Sequence, residues 1–364
     1  MKKQLLILSA SLFALGACTE NKTKPSTPAI KEEQENKTTE NMTTTVEHYT
    51  FELNENVNRA KVKFTNRYGI ELTGDLYTPK NRSEKMPAIA LSGPYGAVKE
   101  QASGFYANEM AARGFVTIAF DPSFTGESGG NVRNVSSPDI NTEDLNAAID
   151  FLGTLNYVDK ENVGMIGICG FGGFALNAAA VDKRIKAVAV ASMYDMSRVT
   201  AQGYFDSMKE EERQQMLKQL SLQRWADAEN GEPALGQQGL PEADQLTGEE
   251  PEFVQGYVNY YKTDRGFHPR SINSNGAWTV TTPISLMNMP ILTYIKEIAP
   301  RPVLIIAGEN AHSRYFSEDA YKAANEPKEL VIIKDAVHTD LYDGGKNNYI
   351  PFSKIEGFFN ENLK

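Results

Sequence analysis

The sequence is poor in the residues that staple small folds and bind metals: its 364 residues include 2 Cys and 4 His. Two cysteines, Cys18 and Cys169, cannot build a disulfide framework. No His-Glu-x-x-His segment and no close His/Cys/Asp cluster offers a zinc site. Positive charge is scarce too. The 37 Lys and Arg face 47 Asp and Glu, a net charge of −10 with no basic cluster, so the electrostatic footprint of nucleic-acid binding is missing. No Gly-x-x-x-x-Gly-Lys-Ser/Thr loop supports nucleotide hydrolysis, and nothing calls for a cofactor. No internal repeat or heptad run occurs, and no apolar run reaches the roughly 20 residues of a membrane-spanning helix. The remaining composition, 41% hydrophobic and 23% charged, is that of a globular chain, and its length suits about two domain-equivalents or one large α/β domain with an insertion.

The N-terminus has the layout of an export signal. Lys2 and Lys3 precede an apolar run at residues 5–15, followed by small residues. Leu15-Gly16-Ala17-Cys18 resembles the bacterial lipoprotein box. The resemblance implies removal of residues 1–17, a lipid on the Cys18 thiol, and a protein held at a bacterial membrane facing the periplasm or cell exterior. Several acyl chains on one residue make a stable anchor. Residues 18–48 are Thr, Lys, Glu and Asn with little to bury and read as a flexible tether. Cys169 is then the single thiol of the mature fold, either a buried small hydrophobe or a reactive group.

From residue 49 onward strand and helix patterns alternate. Residues 60–65 and 71–77 alternate as half-buried strands, whereas 87–92, 115–120, 163–169, 185–192, 302–307 and 329–333 are apolar runs of the kind covered on both faces. Helical patterns at 101–113, 141–155 (with Asn141 as N-cap) and 172–181 separate them. This predicts an α/β fold with a doubly wound, mostly parallel sheet. The rhythm breaks at about 200–298, where a charged helix at 208–228, with Met216, Leu217, Leu220 and Trp225 as its apolar side, and an aromatic stretch read as a helical cap.

The strand at 163–169 runs into Gly170-Phe171-Gly172-Gly173 and a helix. A nucleophile at such a corner points into a cleft, and small neighbours permit its strained backbone. Gly167-Ile168-Cys169-Gly170-Phe171-Gly172-Gly173 resembles the elbow of α/β-hydrolases of the dienelactone hydrolase type, which use cysteine. Similarity to a bacterial branch of that superfamily extends through Asp121-Pro122-Ser123-Phe124-Thr125-Gly126-Glu127-Ser128-Gly129, Tyr194-Asp195-Met196-Ser197-Arg198 and His312-Ser313-Arg314-Tyr315-Phe316-Ser317-Glu318, across residues 50–364.

The resemblance implies Cys169 as nucleophile and His338, just past the last core strand, as base. His48 lies in the tether and His268 in the cap. Glu309 is the first choice of acid to orient His338, because Ala311 stands where the pattern puts Asp; Asp195 is the runner-up. Backbone N–H groups of Gly170 and Tyr95 would form the oxyanion hole, since Pro94 has none. A thiol beside an imidazole at a helix N-terminus is expected to have a lowered pKa.

The reaction class is then hydrolysis of an ester, thioester or lactone through an acyl-enzyme, on a small acyl substrate that is partly apolar. Trp278, Pro283, Met287 and Met289 are candidates for the lining. Two alternatives stay open: acyl transfer at the same site, and a non-catalytic ligand-binding lipoprotein. In the latter Phe171 occupies the nucleophile position of a degenerate elbow and Cys169 is a structural thiol.

Overall fold

The computed structural model describes residues 47–81 and 84–363. The signal segment, Cys18 and all but residues 47 and 48 of the expected tether lie outside them. Those two residues are not free: Glu47 pairs with Lys61 at 2.7 Å, and the His48 ring lies 3.0 Å from the Phe267 carbonyl oxygen.

Eight strands form one sheet: β1 (Val57–Thr65), β2 (Glu71–Pro79), β3 (Met86–Ser92), β4 (Val116–Phe120), β5 (Val158–Ile168), β6 (Ile185–Ala191), β7 (Val303–Gly308) and β8 (Lys328–Ile333). Their spatial order is β1-β2-β4-β3-β5-β6-β7-β8. The β1–β2 and β2–β4 pairs are antiparallel and the rest parallel. Most of the apolar runs become central strands covered on both faces, as in the almost wholly buried β4, β6 and β7, and the edge strand β1 is exposed at five of its nine residues. The run at 329–333 is a correction: as β8 it forms the other edge of the sheet and is only half-buried, because no strand pairs beyond it among the described residues.

Helices α1 (Ala102–Ala112), α2 (Pro138–Thr154) and α3 (Gly170–Val181) connect the strands. In the insertion between β6 and β7 lie α4 (Met196–Gln202), α5 (Glu210–Asn230), α6 (Glu252–Tyr261), α7 (Ile272–Asn275) and α8 (Pro283–Asn288). Then come α9 (Arg314–Ala323), α10 (Asp340–Asp343) and α11 (Phe352–Asn362). Among the described residues no helix is long and apolar enough to cross a membrane.

Two local expectations are corrected. The N-cap position of helix α2 is held by Ser137, not Asn141, because Pro138 with its preset φ starts the helix three residues earlier. Asn141 reaches back, its side-chain oxygen accepting from the Ser137 N–H at 3.2 Å. On α5, Trp225 is 71% exposed, and Leu220 is the helix's one buried residue.

The parallel register sets the site. Ser92 of β3 is level with Gly167 of β5, Ile168 with Ala191 of β6, Ala191 with Ile306 of β7, and Gly308 with Ile333 of β8. The carboxyl ends of five strands therefore share one edge, and the loops leaving it carry Tyr95, Cys169, Tyr194, Ser313 and His338. This is the edge where open α/β sheets bind ligands.

Candidate active site

Cys169 occupies the corner between β5 and α3 with φ 54° and ψ −125°. A non-glycine residue held there is strained, and surrounding structure must enforce it. Here the Cys169 N–H donates to the Ala191 carbonyl, and its own carbonyl accepts from Gly172 and Tyr194. Phe171 does not take the nucleophile's place. It is 2% exposed and packs edge-on against Phe174 at 5.2 Å. Its bulk fits because Gly93, at φ +111°, gives way: a Cβ there would lie 2.2 Å from the Ile168 carbonyl oxygen and 3.0 Å from the Phe171 Cβ. The small residue the motif wanted two places after the nucleophile is supplied by the neighbouring loop.

That loop follows β3 and brings Tyr95 to the elbow. The backbone N–H groups of Tyr95 and Gly170 face the Cys169 sulfur and favour its charged form. Close approach requires glycine at 170, where a Cβ would sit 2.6 Å from the Tyr95 Cβ. The insertion holds the loop from outside. Asn273 Nδ2 donates to the Tyr95 carbonyl at 2.7 Å, and Ser271 Oγ donates to the Gly96 carbonyl at 2.9 Å.

His338 follows β8 and is 2% exposed. Its carbonyl accepts from Ser192 Oγ at 3.1 Å, tying it to the end of β6. Neither carboxylate chosen from the sequence reaches its ring. Glu309 is exposed and accepts from the Asp335 N–H at 3.0 Å, while Asp195 caps α4 by accepting from the Arg198 N–H at 2.9 Å. The position beside Nδ1 belongs to Ser313, whose Oγ lies 2.5 Å away. Glu309 fails for a simple reason: it leaves β7 pointing along the β8 side, and the chain needs four more residues to come round to the imidazole.

Nor does His338 touch the sulfur directly. Its Nε2 is 2.9 Å from the Tyr342 hydroxyl, and that hydroxyl is hydrogen-bonded to the Cys169 sulfur. Tyr342 is fully buried. Its sequence signal was its spacing, four residues beyond His338 in a helical turn, which places both side chains on one face. His312 is a second residue the sequence left without a role. Its ring centroid is 5.1 Å from that of His338; it stacks on Phe253 at 4.5 Å, and its Nε2 is hydrogen-bonded to the Tyr194 hydroxyl.

Burial governs the electrostatics. It pushes the Cys169 thiol up to about 11, although hydrogen bonding with the Tyr342 hydroxyl and the backbone N–H groups of Gly170 and Tyr95 favours the charged form. This reverses the expected lowering, because no cation stands beside the sulfur to offset desolvation. Burial, helped by the neighbouring His312, pushes His338 well below the ordinary imidazole range, and burial alone takes His312 down to about 3. The resting pair is therefore a neutral thiol and a neutral imidazole. His338 Nδ1 is hydrogen-bonded to Ser313 Oγ and its Nε2 to the Tyr342 hydroxyl.

The sulfur opens into a cavity of about 270 Å³ roofed by the insertion. Tyr95, Trp278, Met208, Met216, Leu240 and Leu286 are among its lining side chains, and Tyr95 and Trp278 stack at 4.4 Å. None of the described lining residues is charged. Of the residues expected there, Trp278 and Pro283 line it; Met287 is buried elsewhere and Met289 is 41% exposed. Among the described residues no cluster of His, Cys, Asp and Glu could hold a metal ion.

Known proteins resemble this chain in sequence and fold. The chain is 60% identical to the uncharacterized protein PA2218 of Pseudomonas aeruginosa over 86% of its length and 83% of that relative. The crystal structure of that protein superposes with a TM-score of 0.83, covering 86% of this chain and 97% of the other. YcjY of Escherichia coli is 35% identical, over 83% of this chain and 99% of the relative. Thiohydrolase aneE of Aspergillus aculeatus is 25% identical, over 80% and 90%. The crystal structure of the α/β hydrolase GrgF from Penicillium, at 22% identity and a TM-score of 0.69 over 84% of this chain and 99% of the other, shares the fold. Residues 68–288, more than half of the chain and inclusive of Cys169, match the family model described as X-Pro dipeptidyl-peptidase (S15 family), so the chain is an α/β hydrolase and belongs to the S15 peptidase family.

Proposed function

We propose that the chain is a cysteine-dependent acyl hydrolase, of the dienelactone hydrolase type in its choice of nucleophile, acting on neutral and largely apolar esters or thioesters. One observation carries this reading: a thiol in the elbow, under two backbone N–H donors, faces an uncharged cavity. Cys169 gives up its proton, with His338 as final acceptor and Ser313 holding the ring. The sulfur attacks the acyl carbonyl, and the oxyanion forms beneath Gly170 and Tyr95. The imidazolium returns the proton to the leaving group, and water resolves the thioester.

A dipeptidyl-peptidase must hold a protonated α-amino group near the scissile bond, and burying that charge needs a partner. The described lining residues include no carboxylate. A 150 Å³ apolar cavity accommodates benzene, so 270 Å³ suits an acyl group of roughly ten heavy atoms. Mixed with an octanoyl thioester, the protein is expected to gain one octanoyl mass on Cys169 and to turn over. Succinyl thioester and Gly-Pro-p-nitroanilide should react at least about 10²-fold more slowly. Faster cleavage of the dipeptide substrate, or no adduct on Cys169, would sink the proposal. Transfer to an acceptor other than water is the second reading. It is favoured by the seclusion of the thiol, 7% exposed, and by the relative named polyketide transferase grgF, 25% identical over 79% of this chain.

The same reading keeps the lipid on Cys18 and the membrane location implied by Leu15-Gly16-Ala17-Cys18. In an expressing bacterium, radiolabelled palmitate should mark the wild type and not Cys18→Ser, and the variant should leave the membrane fraction. Equal labelling of both would refute the anchor.

A further inference from the structure

Proton transfer in this site has a gap to cross. A thiol-based acyl-enzyme needs its base within hydrogen-bond reach of the sulfur, directly or through one bridging group. Among the described residues, no hydrogen bond joins Cys169 to His338. The Tyr342 hydroxyl stands between them, 2.9 Å from Nε2 and hydrogen-bonded to the sulfur.

Tyr342 cannot easily leave. It is fully buried on α10, with its ring edge-on to Tyr260 at 5.0 Å and to His338 at 5.3 Å. The helix itself is pinned, because Tyr106 Oη donates to the Leu341 carbonyl at 2.8 Å. A direct sulfur–imidazole contact would require this packing to open.

We propose that Tyr342 is a catalytic proton relay between Cys169 and His338, an inference that rests on Cys169 being the nucleophile. As the sulfur attacks the acyl carbonyl, the S–H bond breaks and its proton passes to the Tyr342 oxygen. In the same event the Tyr342 O–H bond breaks and its proton passes to His338 Nε2. One proton has crossed from sulfur to imidazole, and the phenol ends neutral. When the tetrahedral intermediate collapses, the chain runs in reverse: Nε2 returns a proton to the Tyr342 oxygen, and the phenol's proton goes to the departing thiolate or alkoxide. Phenolate is no intermediate, since burial holds this hydroxyl far above its ordinary range. The two transfers are therefore coupled. The starting network supports the direction: a hydroxyl carries one proton and two acceptor lone pairs, so it can accept from S–H while donating to a bare Nε2.

The test uses the full folded domain and an octanoyl thioester in rapid mixing. Tyr342→Phe keeps the ring and removes the hydroxyl. Its acylation burst is expected to slow by about 10²–10⁴-fold, with KM changed less than about threefold. A structural role alone would leave a second readout unmoved: the burst rate of the wild type, measured across H2O/D2O mixtures, should curve in the manner of two protons in flight. The residual rate of Tyr342→Phe should fall linearly. A variant acylating within twofold of wild type, or a linear wild-type dependence, overturns the relay. If Tyr342→Phe does not fold, the wild-type curvature decides. The two readings fail separately. Were no acyl-enzyme to form on wild-type Cys169, both would fall. Were Cys169→Ala and His338→Ala both to abolish the burst while Tyr342→Phe did not, the relay alone would fall.

Discussion

Cys169→Ala is expected to lower acyl turnover by about 10⁴–10⁶-fold, with residual rate coming from the oxyanion hole and the cavity. The substitution removes the sulfur and leaves both N–H donors in place, so the acyl substrate should still bind. Retained binding with lost turnover is the signature that separates a nucleophile from a structural thiol. Were this a ligand-binding protein with an incidental cysteine, wild type and variant would show the same binding and neither would react. The pH dependence follows from the two buried groups. The proposed reaction needs a neutral imidazole, and burial holds His338 well below its ordinary value, so loss of activity on acidification should begin below the ordinary imidazole range and not within it. The thiol, pushed up to about 11, should react slowly with iodoacetamide at neutral pH and about tenfold faster per pH unit as pH rises toward that value. An acid limb at 6.5–7 together with fast neutral labelling would mean a solvated ion pair, and would contradict the buried geometry.

Lys99→Met is expected to destabilise the domain by about 3–5 kcal/mol at pH 8, the usual cost of leaving buried charge unpaired. Lys99 is fully buried, with Nζ 2.5 Å from Glu100, 2.5 Å from Glu127 and 3.4 Å from Asp121. Burial opposes its charge, yet Asp121, Glu100 and Asp75 outweigh burial and hold the ammonium above its ordinary range. Burial, followed by Asp121, pushes Glu100 up to about 7, and Arg270 from the insertion is its second cation. Methionine matches the length of lysine, so the loss would come from the stranded carboxylates and not from a void. The sign with pH is fixed. Without the ammonium Glu100, already raised by burial, rises further in the folded state, which then takes up a proton that the unfolded chain does not. The deficit should therefore shrink as pH falls from 8 toward 5.5. Urea melts at the two pH values measure it. An equal deficit at both would point to packing instead.

The sheet was legible because strands buried on both faces announce themselves in short apolar runs, each read without knowing its neighbours. The corner at Cys169 was legible for a related reason: a strand, a run of glycines and a helix lie within a dozen residues, and their chemistry is local. Gly170 and Tyr95 follow from adjacent strand ends, since β3 and β5 pair in parallel and end level. The partners of the imidazole were not legible. Ser313 and His338 lie 25 residues apart on loops leaving different strands, and the angle of each loop decides whether Glu309, Asp195 or Ser313 meets Nδ1. Tyr342 reads as an ordinary helical aromatic until the sulfur, 173 positions away, is seen on its other side. The thiol's protonation state was also beyond the sequence. A helix N-terminus and a nearby imidazole argue for a thiolate, but desolvation depends on how completely α6, α7 and α10 close over the site. The sequence alone determined the α/β-hydrolase sheet and the corner at Cys169, while membership of the S15 family, and not the dienelactone hydrolase branch, came from the family match. Tertiary packing decided that the His338 ring sits one hydroxyl away from Cys169, because hydrogen-bond partners across a cleft depend on angles between loops that no single segment encodes.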